Sequence, residues 1–162
     1  MNIVQAELFT RADSFNTVYV CTTNSIVNSR GMLIMGRGSA LEMRKQNPVA
    51  QSRISRMLKE MGYKLDGTED YGFILCQAPS EGKFGWGIFQ TKRDWKNKAV
   101  LETIKLSVEM LNAYATEYPD IEFRVPYPAV GCGQIGHGTP VTKQQVDELI
   151  SVLPDNVTFY RK

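Results

Sequence analysis

Two glycine-containing segments and one lysine carry the residue types with the most chemistry to offer. The first segment is Met35-Gly36-Arg37-Gly38-Ser39-Ala40, between a strand-like and a helix-like stretch. Glycines let the backbone come close to a ligand, and a helix amino end offers unpaired N–H groups and a positive dipole end, so this segment suits a phosphate. A plain strand-to-helix turn would use the same glycines. No GK[ST] follows, so it is not a P-loop, and a GxGxxG fingerprint is also missing. The second segment is Val130-Gly131-Cys132-Gly133-Gln134-Ile135-Gly136-His137-Gly138, with four glycines in the eight residues 131–138. It can wrap a second phosphate or serve as a surface loop. Two such loops, each at a strand's carboxyl end, make a diphosphate held between them the leading physical reading. Lys92, in Phe89-Gln90-Thr91-Lys92-Arg93-Asp94-Trp95, stands just past a strand end. A partly desolvated lysine loses basicity, and its amine can then attack a sugar C1 carbon. The alternative is a solvated basic turn with Lys92, Arg93, Lys96 and Lys98 simply exposed. His137 reads either as a general acid toward a phosphate ester or as a polar loop residue.

The elements that must position these residues follow from periodicity. Residues 3–9 suit a short edge strand, and 17–23, TVYVCTT, suit a buried one. A loop then runs to Gly38. A short helix is expected over 39–46, stopped by Asn47-Pro48, with Pro48 opening the next helix. There Ile54, Met57, Leu58 and Met61 recur at i, i+3, i+4, i+7, and Gly62 fits the stop. Strands are expected over 73–77 and 86–90, and the longest helix from Asn97 to about Tyr114, with Leu101, Ile104, Val108, Leu111 and Ala115 on one face. Residues 123–127 suit another strand. Thr142 and Gln145 form a capping-box pattern ahead of Val146, Leu149, Ile150 and Leu153, and 157–160 suit a final strand. Alternating strands and helices predict an α/β fold with a mixed or mostly parallel sheet and helices on both faces. Ligands of such sheets sit beyond the carboxyl ends of the strands.

Composition narrows the function classes. The 162 residues fit one domain, 43% are apolar and the net charge is +2, too small to argue for nucleic acid by itself. No apolar run approaches the roughly 20 residues of a membrane span. The start, MNIVQAELF, shows no signal-peptide pattern, so a cytoplasmic location is expected. Three cysteines, Cys21, Cys76 and Cys132, form no CxxC pair, and there is one histidine. They read as reduced small hydrophobes, and neither a metal nor another cofactor is expected.

Taken together the segments resemble the macro-domain family. The resemblance rests on Thr22-Thr23-Asn24, Ile34-Met35-Gly36-Arg37-Gly38-Ser39-Ala40, Phe89-Gln90-Thr91-Lys92-Arg93-Asp94-Trp95, Pro128-Ala129-Val130-Gly131-Cys132-Gly133 and the terminal Phe159-Tyr160. It runs in order over nearly the whole chain. It looks closest to the phage and bacterial branch that contains DNA ADP-ribosyl glycohydrolase antitoxins, and to the terminal ADP-ribose glycohydrolase of animals.

The resemblance implies a three-layer α/β/α fold with a mixed central sheet, one macro domain over 1–162, and ADP-ribose as ligand. Glu7, in Ala6-Glu7-Leu8-Phe9, matches the acidic residue that receives the adenine amino group, although the family more often has Gly-Asp here. Leu8 belongs to the same subsite. Asn24 or Asn28 is implied at the distal ribose. Met35, Gly36, Arg37, Gly38 and Ala40 would line one phosphate, and Val130, Gly131, Cys132, Gly133, Gln134 and Ile135 the other. Tyr160 would lie against the adenine ring or be an ordinary end-of-strand aromatic. Lys92 matches the branch's nucleophile, and Ile135 stands where some members carry an acid. The implied activity is release of ADP-ribose from a modified macromolecule, DNA or protein. A non-catalytic ADP-ribose reader and an ADP-ribose 1''-phosphate phosphatase are the alternatives. The chain is expected to act as a monomer in the cytoplasm, the host's for a phage-encoded chain, without a membrane partner.

Overall fold

A computed structural model describes residues 1–9, 16–127 and 138–161. The strands are β1 (Asn2–Gln5), β2 (Thr17–Thr23), β3 (Phe73–Gln77), β4 (Gly85–Gln90), β5 (Glu122–Pro126) and β6 (Val157–Arg161). The helices are α1 (Gly38–Gln46), α2 (Ala50–Glu60), α3 (Leu101–Glu117) and α4 (Lys143–Ile150). The strands form one sheet in the order β1-β6-β5-β2-β4-β3. Every pairing is parallel except β3 with β4, so the sheet is mixed.

The period of two along a strand divides the core. On β2, Val18 and Val20 pack with Ile104, Val108 and Leu111 of α3 and Val146 and Ile150 of α4. Cys21 points to the opposite face and packs with Ala40 and Met43 of α1 and Ile54 and Leu58 of α2. The architecture is therefore three-layer α/β/α. Ile54 and Leu58 are fully buried, and each contributes about 1.5–3 kcal/mol of transfer free energy. Cys21 and Cys76 are free thiols. Burial lifts Cys21 well above the ordinary thiol range and pushes Cys76 up to about 12, which leaves both unreactive. No described helix is long and apolar enough to cross a membrane.

Element ends follow local chemistry where that chemistry is local. Gly62, at φ +93°, stops α2. Its N–H reaches Lys59 O at 3.0 Å and the Tyr63 N–H reaches Leu58 O at 3.1 Å, a Schellman pattern. The Thr142–Gln145 capping box is present in both directions. Other ends differ from the sequence reading. The first strand covers only Asn2–Gln5; past it Leu8 is buried and Phe9 stacks on Tyr19 at 5.7 Å. Pro48 does not open α2, which begins at Ala50, because the Ala50 N–H closes a turn onto Asn47 O at 3.0 Å. The third helix begins at Leu101 rather than Asn97. Val100 is extended and gives its N–H to Thr91 O at 2.9 Å. It also runs on to Glu117, where Asn156 Nδ2 donates to the carbonyls of Ala115, Tyr118 and Ile121 at 3.0, 3.1 and 2.9 Å.

Candidate functional site at the carboxyl ends of β2 and β4

Strands β2 and β4 are parallel neighbours with Thr23 opposite Gln90, so the segments that leave them start side by side. The segment after β2 leads into α1, and Ser39 in its first turn ties that turn to the strand. Ser39 Oγ accepts the Thr22 N–H at 3.0 Å and lies 3.1 Å from Thr22 Oγ1. The amino end of α1 thus sits at the carboxyl end of β2. Arg37, its N-cap, makes no side-chain cap bond, and the first turn holds no acidic residue. Gly36, Arg37 and Gly38 are exposed, while Met35 and Ala40 are buried beneath them. Among the described residues, a β-carbon placed on Gly36 or Gly38 would meet nothing within 4 Å. Gly38 is at φ +58°, which favours glycine. The helix therefore presents first-turn N–H groups and its positive end to space that no described residue fills, an arrangement that suits an anion.

The segment after β4 carries Lys92. Its anchor is Gln90, fully buried at the strand's last position. Gln90 Oε1 accepts the N–H groups of Tyr71 at 2.7 Å and Gly72 at 3.1 Å. Its Nε2 donates to Glu69 O at 3.0 Å and Lys92 O at 3.2 Å, and its own carbonyl accepts from Ser107 Oγ at 2.7 Å. The next residue, Thr91, gives its N–H to Thr23 O at 3.0 Å. Lys92 is half-buried, and its ammonium donates to Trp95 O at 3.5 Å.

Arg93 is not the simply exposed cation of a solvated turn. Its guanidinium grips Asp70 through Nε at 3.0 Å and Nη2 at 2.9 Å, and Thr103 Oγ1 donates to the same carboxylate at 2.7 Å. Burial raises the Asp70 carboxyl, but the bonds from Arg93 and Thr103 outweigh it and hold the group below its ordinary range. Arg93 O accepts both the N–H and the hydroxyl of Ser25, at 2.9 and 3.1 Å, which joins the two segments. Under them lies Tyr71, whose phenol bonds Thr23 Oγ1 and Asn24 O. Burial raises that phenol well above its usual pKa.

The remaining predicted residues distribute as follows. Asn24 is buried with both side-chain ends used inside its own loop, Nδ2 to Ile34 O and Oδ1 from the Ile26 N–H, each 3.1 Å. Asn28 is exposed, and its Oδ1 accepts the N–H groups of Arg30 at 2.9 Å and Met32 at 3.1 Å. Glu7 is exposed and Leu8 buried, just past the carboxyl end of β1. Tyr160 stands near the end of β6 with the Arg124 guanidinium 5.5 Å from its ring centre; the same guanidinium is 5.6 Å from the ring of Tyr19. Val130, Gly131, Cys132, Gly133, Gln134, Ile135 and His137 lie outside the described residues. Among the described residues no cluster of histidine, cysteine, aspartate and glutamate could hold a metal ion. Sequence reasoning missed Ser39, Asp70, Tyr71 and Gln90. The one local signal was Gln90, a polar residue closing an apolar strand immediately before Thr91-Lys92.

No family model and no curated protein matches the chain. Solved structures do. The macrodomain of Mycobacterium tuberculosis DarG is 21% identical, with 99% of this chain and 97% of that one covered at a TM-score of 0.70. The macrodomain of Thermus aquaticus DarG is 19% identical, with 99% and 97% covered at 0.66. Thermosipho africanus DarTG, solved in complex with ADP-ribose, is 19% identical, with 99% of this chain and 41% of that one covered at 0.61. Over nearly all of its length, the chain has the macrodomain fold.

Proposed function

We propose that this chain binds ADP-ribose beyond the carboxyl ends of β2 and β4 and releases it from a modified macromolecule, with Lys92 as nucleophile. One observation carries the reading. The uncapped amino end of α1, where no described residue fills the space in front of Gly36 and Gly38, and the segment bearing Lys92 leave adjacent parallel strands and are joined through Ser25 and Arg93. The first would hold a phosphate and the second would present an amine. A relative of the same fold, Thermosipho africanus DarTG, was solved with ADP-ribose, which supports the choice of diphosphate. In the reaction the Lys92 side-chain nitrogen bonds to C1'' of the distal ribose as the bond to the modified group breaks and its electron pair leaves with that group. Water then cleaves the lysine adduct and returns ADP-ribose.

Calorimetric titration with ADP-ribose tests the binding, and incubation with ADP-ribosylated single-stranded DNA and ADP-ribosylated protein tests the chemistry. Lys92→Ala is expected to keep ADP-ribose affinity within about threefold while turnover disappears, the pattern of a group needed only in the transition state. Unchanged turnover in that variant would overturn the lysine mechanism. Binding without product release by the unaltered chain would make it a reader, and no binding at millimolar ligand would overturn both.

A further inference from the structure

A second concavity lies at the opposite end of strands β2 and β4. It has a volume of about 700 Å³, between the carboxyl end of α1 at Gln46 and Asn47 and the amino end of β4 at Gly85. Gly85 opens β4 and Gln90 closes it, so the cavity is about 17 Å from the Lys92 segment at the ordinary rise of a strand. Its volume falls inside the range of small-molecule sites.

The walls have a definite chemistry. Tyr19, Phe84 and Trp86 supply aromatic surface, with Tyr19 and Phe84 meeting edge to face at 5.5 Å. The polar groups converge on one amide. Gln77 Oε1 accepts from Trp86 Nε1 at 3.2 Å and from Arg53 Nη1 at 3.2 Å, which fixes the indole and the guanidinium relative to each other. Lys83 adds a second cation, and no carboxylate is among the described residues that line the cavity. The amino end of α2 at Val49 and the carboxyl end of α1 at Gln46 and Asn47 both border it, so the helix ends offset each other and the positive charge comes from Arg53 and Lys83. Flat apolar walls with positive charge on one side select a flat apolar body with a negative group.

We propose that this cavity binds a small planar aromatic anion, independently of the site at the other end of the sheet. Arg53 and Lys83 take the anionic group, and Phe84 and Trp86 take the ring, with Tyr19 held behind Phe84 by its stack on Phe9. The chain has two tryptophans, Trp86 and Trp95, so in a Trp95→Phe background the emission reports on the cavity alone. Titration of that protein with 2-naphthoate is expected to change Trp86 emission saturably. The uncharged 2-naphthamide is expected to bind at least about tenfold more weakly, as is 2-naphthoate to the Arg53→Ala/Lys83→Ala double variant. Saturating ADP-ribose should leave naphthoate binding unchanged. No saturable change up to the solubility limit, equal binding of the amide, or displacement by ADP-ribose would each overturn the proposal. Failure of ADP-ribose to bind at all would overturn the function proposed above and leave this site standing.

Discussion

The side-chain amide of Gln90 holds the backbone of Lys92: its Nε2 donates to the Lys92 carbonyl at 3.2 Å, while its Oε1 is anchored on the N–H groups of Tyr71 and Gly72. A buried carboxamide is the side chain that can accept from one side and donate to the other at this position. Gln90→Glu keeps the shape and the accepting oxygen but turns two donors into an acceptor facing the carbonyls of Glu69 and Lys92. Each lost buried bond costs about 1–3 kcal/mol. Thermal unfolding should therefore fall by several degrees, on the order of 2–4 °C per kcal/mol. With the lysine mechanism, kcat should fall at least about tenfold while ADP-ribose affinity stays within about threefold, a split that follows from misplacing a transition-state group. A fall in stability with kcat unchanged would show that Gln90 supports the fold without aiming Lys92.

Gly36 and Gly38 separate backbone strain from ligand contact. A β-carbon at either meets no described residue within 4 Å, but of the two only Gly38 has a positive φ, +58°. Gly38→Ala should destabilise the protein by about 1 kcal/mol from the left-handed backbone alone. Gly36→Ala should leave stability within about 0.5 kcal/mol, as a surface substitution without strain does. If a phosphate fills the space in front of Gly36, the same variant should weaken ADP-ribose binding about tenfold or more through its methyl group. Equal affinity of Gly36→Ala and the unaltered chain in calorimetry would move the phosphate elsewhere.

Asp70 gives the site an acid sensitivity of known sign. Its carboxyl is held below the ordinary 3.8 in the folded chain. The stabilisation it contributes is therefore complete above 3.8 and is lost as pH falls through the folded value. In Asp70→Asn the pair with Arg93 is gone at every pH. Urea midpoints of the two proteins should differ most near neutrality and converge as pH drops below the ordinary carboxyl range. A constant gap from pH 7 to pH 3 would mean that the Asp70–Arg93 pair is not the source.

Local chemistry was legible in the sequence, and long-range partners were not. The capping box at Thr142, the stop at Gly62 and the buried β-branched run of β2 are each decided within a few residues, and all appear at those places. The start of α3 was misplaced because Val100 spends its N–H on Thr91, and its end because Asn156, 38 residues past Tyr118, caps it. Within the candidate site the glycines and Lys92 stood out by type. Gln90, Ser39 and Asp70 did not, since their roles exist only once β2, β4 and α3 are side by side. A glutamine or an aspartate in isolation carries no mark of what it will bond.

Strand β2 lies between β4 and β5, its partners at Gly85–Gln90 and Glu122–Pro126, in the middle of the sheet. During synthesis, then, Thr23 and Asn24 leave the ribosome long before either flank of their strand has been made. The sheet can close around β2 only after β5 has emerged, with most of the chain already exposed. Until β4 has been made neither edge of β2 has a partner, and until β5 follows one edge stays open, a hazard of non-local pairing that favours aggregation over slow folding. The residues nearest the candidate site are thus the ones a folding helper would have most reason to shield.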